Sequence, residues 1–319
     1  MYLLGGQKGP ACSPASAVAY HLDTETGVFR AMPPLPESTY AGTAVVYDGR
    51  LHFISGVRAD RATPSTDHWS IGLGPDGGDD GTWREEPPLP SGGGSHALAF
   101  VLTPATTNRA AIYAWGHVIQ EYLPRNASAG DYSCVPTPES VSAAVWSFST
   151  ADGWLRRRCA GFPASLPAAA PVLAARAPLT PLRAAPRRDM PMPLSHNAFC
   201  GMRVARDSVL IIGGHAADRW LSNSIWLFNA SNDASWTHLG RVQRDVPVGP
   251  LYVKGHACAL WGSRVVLAAG HYGQQDGASP VFGLFSDATW QAWLPEELLR
   301  QLEADWEAHP ADFDISQLF

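Results

Sequence analysis

The residues with the most chemistry to offer are histidines set at recurring places. His117, His215 and His271 each follow directly on a glycine that ends a short apolar run, while His96, His196 and His256 each open the alternating run that comes just before it. Imidazole is the commonest protein ligand for zinc, iron or copper, and its neutral form offers one hydrogen-bond donor and one acceptor to a sugar or an acidic ligand. Tyr40, Gln7 and Arg58 stand near the corresponding places earlier in the chain, so Tyr40 and Arg58 join the six histidines as candidate ligand-binding residues. No H-E-x-x-H and no clustered carboxylate accompanies the histidines. No metal or other cofactor is therefore assigned, and His117, His215 and His271 would hold a metal only if the chain were an enzyme. The sequence has no G-x-S-x-G, no Walker loop and no dinucleotide fingerprint. The glycine-rich stretch from Gly72 to Gly78 reads as a hairpin turn, because no helix follows to receive a phosphate.

What positions these residues is a repeat. A strand ending in small residues recurs at Tyr2 to Gly6, Leu51 to Gly56, Ala111 to Gly116, Val209 to Gly214 and Val265 to Gly270. Each copy is followed by a strand centred on Tyr20, Trp69, Trp146, Trp226 or Phe282, and then by a second aromatic, Phe29, Trp83, Trp154, Trp236 or Trp290. Proline runs close units, as in Met32 to Pro36 and Glu86 to Pro90, and another alternating strand precedes each glycine-ended one, clear at Thr43 to Tyr47 and His256 to Leu260. A period of this size means stacked supersecondary units.

Four short strands, paired glycines and two spaced aromatics resemble the kelch motif across residues 1–295. The resemblance implies an all-β, kelch-type β-propeller. Five four-stranded blades are visible, in units 1–36, 37–90, 91–167, 193–247 and 248–295, with an Ala/Pro/Arg-rich linker over 168–192. The first unit lacks its opening strand. Kelch rings usually have six or seven blades, so either the chain is a five-bladed ring, or its start is truncated, or the tail from Asp314 to Phe319 supplies the missing strand. Each blade has two apolar faces and is stable only between neighbours, with the aromatics in the gap. In an antiparallel pair the start of one strand and the end of the next share an edge, which would gather the histidines on one face of the ring.

The chain has 45% hydrophobic and 16% charged residues, 30 Gly and 27 Pro, which fits many short strands and excludes a disordered chain. A net charge of −6 argues against a nucleic-acid partner, and no run is long and apolar enough to span a bilayer. Five cysteines without C-x-x-C spacing and without a signal-like start predict reduced thiols and a cytoplasmic protein, against two sequons at Asn126 and Asn229. Residues 117–142 and 168–190 read as surface excursions. Pro295 to Trp306 reads as an amphipathic helix whose Leu298, Leu302 and Trp306 pack on the propeller, with 296–319 forming the helix and tail. The functional expectation is a monomeric, non-catalytic binding or scaffold module that takes a protein or small ligand through loops at one face. The alternative is a propeller enzyme acting on a sugar or other small molecule at a histidine-lined channel mouth, with or without a metal.

Overall fold

The computed structural model describes residues 1–6, 15–59, 64–74, 78–90, 94–116, 142–157, 194–195, 201–216, 222–231, 235–245, 248–250, 252–254, 256–261, 263–268, 271–273, 284–285, 289–294 and 296–308. The fold is all-β, with five antiparallel blades in a propeller arrangement and one C-terminal helix. The third and fourth blades show the full plan, each a meander of four strands such as Gly201–Ala205, Ser208–Ile212, Ser224–Asn229 and Ser235–Arg241. The first blade is a three-stranded sheet of Tyr2–Leu4, Ala19–Leu22 and Phe29–Ala31, consistent with its missing opening strand. In the fifth, Thr289–Trp293 lies directly beside Arg264–Ala268, so the strand carrying Trp290 takes the third place rather than the expected fourth. The expected closure by Asp314 to Phe319 and the two excursions lie outside the described residues, apart from Ser142.

Apolar surface is buried between blades rather than within them. Among the described residues, all five clusters of buried hydrophobics straddle a neighbouring pair. Ala19 and Met32 meet Leu51 and Ile71 across blades one and two, and Ile54 meets Ile112 and Phe148 across two and three. Tyr113 and Trp115 meet Phe228 and Trp236 across three and four, and Met202 and Val204 meet Val265 and Leu267 across four and five. The third gap is the most aromatic. Trp115 sits 4.9 Å from Phe228, 5.6 Å from Trp236 and 5.9 Å from Phe100, ring centre to ring centre, within the range where offset and edge-on pairs attract. Trp236 is buried there, whereas Trp146, Trp154, Trp226 and Trp290 are only partly buried. Trp115 and Trp236 are the largest fully buried side chains among the described residues, and Trp115 stands where two other units carry Gly5 and Gly213.

The proline runs lock the first blade to the second and the second to the third. Trp83 Nε1 donates to the Pro33 carbonyl and Trp154 Nε1 to the Pro87 carbonyl, both at 2.9 Å, so each outer tryptophan grips the first proline of the preceding unit's closing run. In those runs Leu35 and Leu89 are buried, and their amides donate to the Ala17 and Thr66 carbonyls. The helix Glu296–Ala308 opens with Glu296 and Glu297, favourable at its positive end. Its Leu298 and Leu302 join the cluster of blades four and five, and Asp305 accepts from the Arg206 amide at 3.0 Å. It packs on the propeller, as its stripe predicts.

Cys258 is disulfide-bonded to a cysteine outside the described residues, which corrects the expectation of wholly reduced thiols. Alkylation of the unfolded but unreduced protein should therefore label at most three of the five cysteines; labelling of all five would contradict the bond. Trp115→Ala should cost about 3 to 5 kcal/mol in urea unfolding, because it empties a rigid interblade gap. Trp293, 68% exposed, should change stability by no more than about 0.5 kcal/mol when truncated in the same way. Equal losses at the two sites would refute the wedge.

Candidate functional site

At one edge of the blades the second strand does not stop at its small residues but turns through them. Gly5 and Gly6 have φ of 64° and 102°, Gly213 and Gly214 have 68° and 105°, and Ser55 and Gly56 repeat the pair at 59° and 119°. Beyond this turn the strand pairs with the segment that precedes the innermost strand. Val57 and Arg58 face Tyr40 and Thr39, His215 and Ala216 face Ser195 and Leu194, and Lys254 faces His271. A side chain at Gly56 is forbidden by proximity as well as by φ, since its Cβ would meet Thr39 Oγ1 at 2.5 Å and the Tyr40 carbonyl oxygen at 2.9 Å. The result is a collar of short ribbons on one edge. Neighbouring blades are tied along it, through Gly6 to the Thr39 carbonyl at 2.9 Å, Gly56 to the Gly94 carbonyl at 2.6 Å and His96 to the Ala41 carbonyl at 2.7 Å.

The candidate residues distribute unequally over this collar. Tyr40, Arg58, His215 and His271 all lie on its ribbons, while His117 and His196 lie outside the described residues. The strand register separates the two described inner-strand histidines. Thr43, Ala99 and Ala257 face Ile54, Ala114 and Ala268, which hold the same place in their units. His96 lies three residues before Ala99, matching Tyr40 before Thr43, whereas His256 lies one residue before Ala257 and matches Gly42. The expected equivalence of His96 and His256 is therefore off by two positions. His96 adopts φ 54° and is partly buried, with the Ser95 hydroxyl 2.9 Å from its Nδ1. His256 is fully buried, and burial depresses its pKa to about 4, an effect that the nearby Ile212 carbonyl only partly offsets. It is an interior imidazole and not a rim group.

Arg58 stands in a cleft lined by Leu35, Glu37, Thr39, Phe53, Ser55, Ser65, Asp67 and Trp69, partly open to solvent, with about 10 Å³ of free space, room for one water or one small polar head group. Its Nε is 3.5 Å from Glu37 Oε2 and its Nη2 is 3.3 Å from Asp67 Oδ2. Two carboxylates thus share one guanidinium.

A second polar group, overlooked in the sequence, lies between blades two and three. His52 and His68 are both fully buried, with Nδ1 of His52 2.8 Å from Nε2 of His68. His68 Nδ1 faces the Pro87 carbonyl at 3.3 Å and must carry the proton there. Its Nε2 is then an acceptor, and His52 Nδ1–H donates to it. Phe148 lies edge-on to His68 at 4.7 Å and Trp154 tilts over it at 5.4 Å. Burial lowers the pKa of His52 to about 4 and that of His68 to about 3, the latter further depressed by its neighbour. Glu86 opposes the shift at both, and Arg50 and Arg84 reinforce it at His52. The two histidines sit on adjacent strands in register positions that meet only once the strands pair, since Ile54 faces His68 and His52 faces Ser70. No spacing rule connects them along the chain.

Both imidazoles are neutral in the folded protein and bind protons more readily when unfolded, where histidine titrates near 6.5. Their contribution to stability is complete above that value and is lost as the pH falls from 6.5 towards about 3, with His256 adding in the same direction. The urea midpoint should fall steadily on acidification across this window, and less steeply in His68→Leu. An identical slope in that variant would assign the acid sensitivity to other groups.

No family model matches the chain. Over 93 residues it is 38% identical to a kelch repeat-containing protein of Arabidopsis thaliana, a match that covers 29% of this chain and only 22% of that relative's length. The solved structure of YjhT superposes on 84% of this chain and 71% of its own, with a TM-score of 0.55 at 15% identity, a likeness of fold. The strands that turn at paired small residues and the antiparallel blades packed face to face make the chain a β-propeller, with a 93-residue segment similar to a kelch repeat protein.

Proposed function

We propose that the chain is a monomeric binding or scaffold module that recognises a protein or a small ligand at the collar edge of its blades. The observation that carries this reading is the second tier of ribbons built beyond the small-residue turns. It brings Tyr40, Arg58, His96, His215 and His271 to one edge in four different blades. Strand interiors are committed to packing between blades, so variable chemistry can be placed only on connections such as these. Kelch repeats in the Arabidopsis relative favour the same class of role, although the match spans a small part of that protein. No helix among the described residues is long and apolar enough to cross a membrane. The Cys258 disulfide, together with the sequons at Asn126 and Asn229, favours an oxidising compartment over the cytoplasm expected from the sequence.

The test is edge-specific. Quantitative affinity capture should recover a partner with the wild-type chain and with Glu25→Lys/Arg109→Glu, whose exposed side chains lie on turns of the opposite edge. The same partner should be lost with Glu37→Lys/His96→Ala. Recovery that ignores the collar, or loss with either pair alike, would remove the proposed role of this edge.

A further inference from the structure

The cleft around Arg58 contains a polar group with nothing to bond. Ser55 is 1% exposed and its Oγ has no hydrogen-bond partner, yet it lines the open space. A buried hydroxyl without a partner is unfavourable, and replacing it by hydrogen would remove the problem. The chain keeps it at a position where sister units carry Gly5 and Gly213, and holds it at φ 59°, in a region that a serine adopts only under constraint. Strain and an idle hydroxyl coincide at the one place where both face a cavity.

The charges around that hydroxyl do not cancel. Glu37 and Asp67 supply two negative charges against the single positive charge of Arg58. The guanidinium contacts, at 3.3 and 3.5 Å, are longer than the 2.7 to 2.9 Å of a well-seated charge-assisted bond, and Arg58 is 43% exposed. It can leave without opening the core. The Ser65 hydroxyl accepts from the Asp67 amide at 2.9 Å, which fixes the Asp67 backbone at the cleft, while Phe53 and Trp69 place aromatic rings along its wall. Carboxylates, hydroxyl oxygens and ring faces are the groups that hold a compact cation.

We propose that this cleft binds an organic ammonium group, either a free alkylamine or the Nζ of a lysine on a partner protein, with Asp67 and Glu37 as counter-charges and the Ser55 hydroxyl as acceptor. Arg58 occupies the approach and competes with the incoming cation. This deepens the binding role proposed for the collar and rests on it.

Calorimetric titration of the full chain with n-butylammonium, with N-acetyl-lysine methylamide and with sodium butyrate tests the assignment. Both cations should bind, increasingly weakly as salt is raised, and butyrate should not. Asp67→Asn should weaken the cations about tenfold, the effect of losing one charge-assisted contact. Arg58→Gln should strengthen them, and Ser55→Gly should weaken them without lowering the melting temperature. Tighter binding of butylammonium would identify a free amine as the ligand, and tighter binding of the capped lysine would identify a partner's side chain. Binding of butyrate that disappears in Arg58→Gln would make this an anion site and overturn the proposal, as would the absence of binding by either cation. Should the cations fail while Glu37→Lys/His96→Ala still loses its captured partner, the ammonium assignment falls and the binding edge stands.

Discussion

The packing of one blade face against the next is the constraint on which everything else in this protein rests. A single four-stranded meander exposes two apolar faces and has no interior of its own, so its burial is complete only when a neighbour lies on each side. The gaps widen away from the innermost strands, and large rings fill them: Trp115 with Phe228 and Trp236 in one, Phe148 with the imidazoles of His52 and His68 in another. The indole hydrogen bonds from Trp83 and Trp154 to the proline carbonyls of the preceding unit add direction to this otherwise undirected attraction. The first three blades can therefore neither slide nor rotate on one another without uncovering apolar surface and breaking one of these bonds.

That rigidity has an electrostatic consequence. A gap filled with rings excludes water, and the histidines caught there stay neutral well below the pH at which a free imidazole would charge. His52 and His68 bond in series as two neutral imidazoles, ending on the Pro87 carbonyl, while the outer nitrogen of His52, Nε2, is buried without a partner. The pair is thus compatible with the apolar gap only while it is uncharged, and it links the integrity of the interface between blades two and three to proton concentration.

The collar solves a different problem. Strands packed on both faces offer little freedom for recognition, and the turn through paired small residues carries the second strand out of the packed layer to meet the segment entering the blade. At that point the main chain is held by its own hydrogen bonds between blades, and side chains such as Arg58 and His96 are released from the requirements of the core. The Ser55 hydroxyl and the unbalanced carboxylates of Glu37 and Asp67 lie in this released region, where chemistry can vary without disturbing the propeller.

The repeat was legible in the sequence because burial between blades imposes the same residues at the same intervals: small pairs where φ is positive, aromatics where gaps must be filled, and proline runs where one blade hands over to the next. The amphipathic spacing of Leu298 and Leu302 likewise announced the helix and its covered face. Other features had no local signature. Trp115 replaces a glycine and looked like a departure from the motif, yet its neighbours across the gap make it the centre of a core. His96 and His256 looked equivalent because both precede an alternating run, and only strand register shows that one matches Tyr40 on a collar ribbon while the other matches Gly42 on the approach to the inner strand. The contact of His52 with His68 and the cleft shared by Glu37, Ser55 and Asp67 join residues from separate strands and loops. Local sequence determined which segments form strands and where they turn, because those choices depend on residue type and near neighbours. Which side chains meet, and in what charge state, was decided by tertiary structure, because it depends on the register of pairing and on the exclusion of water between blades.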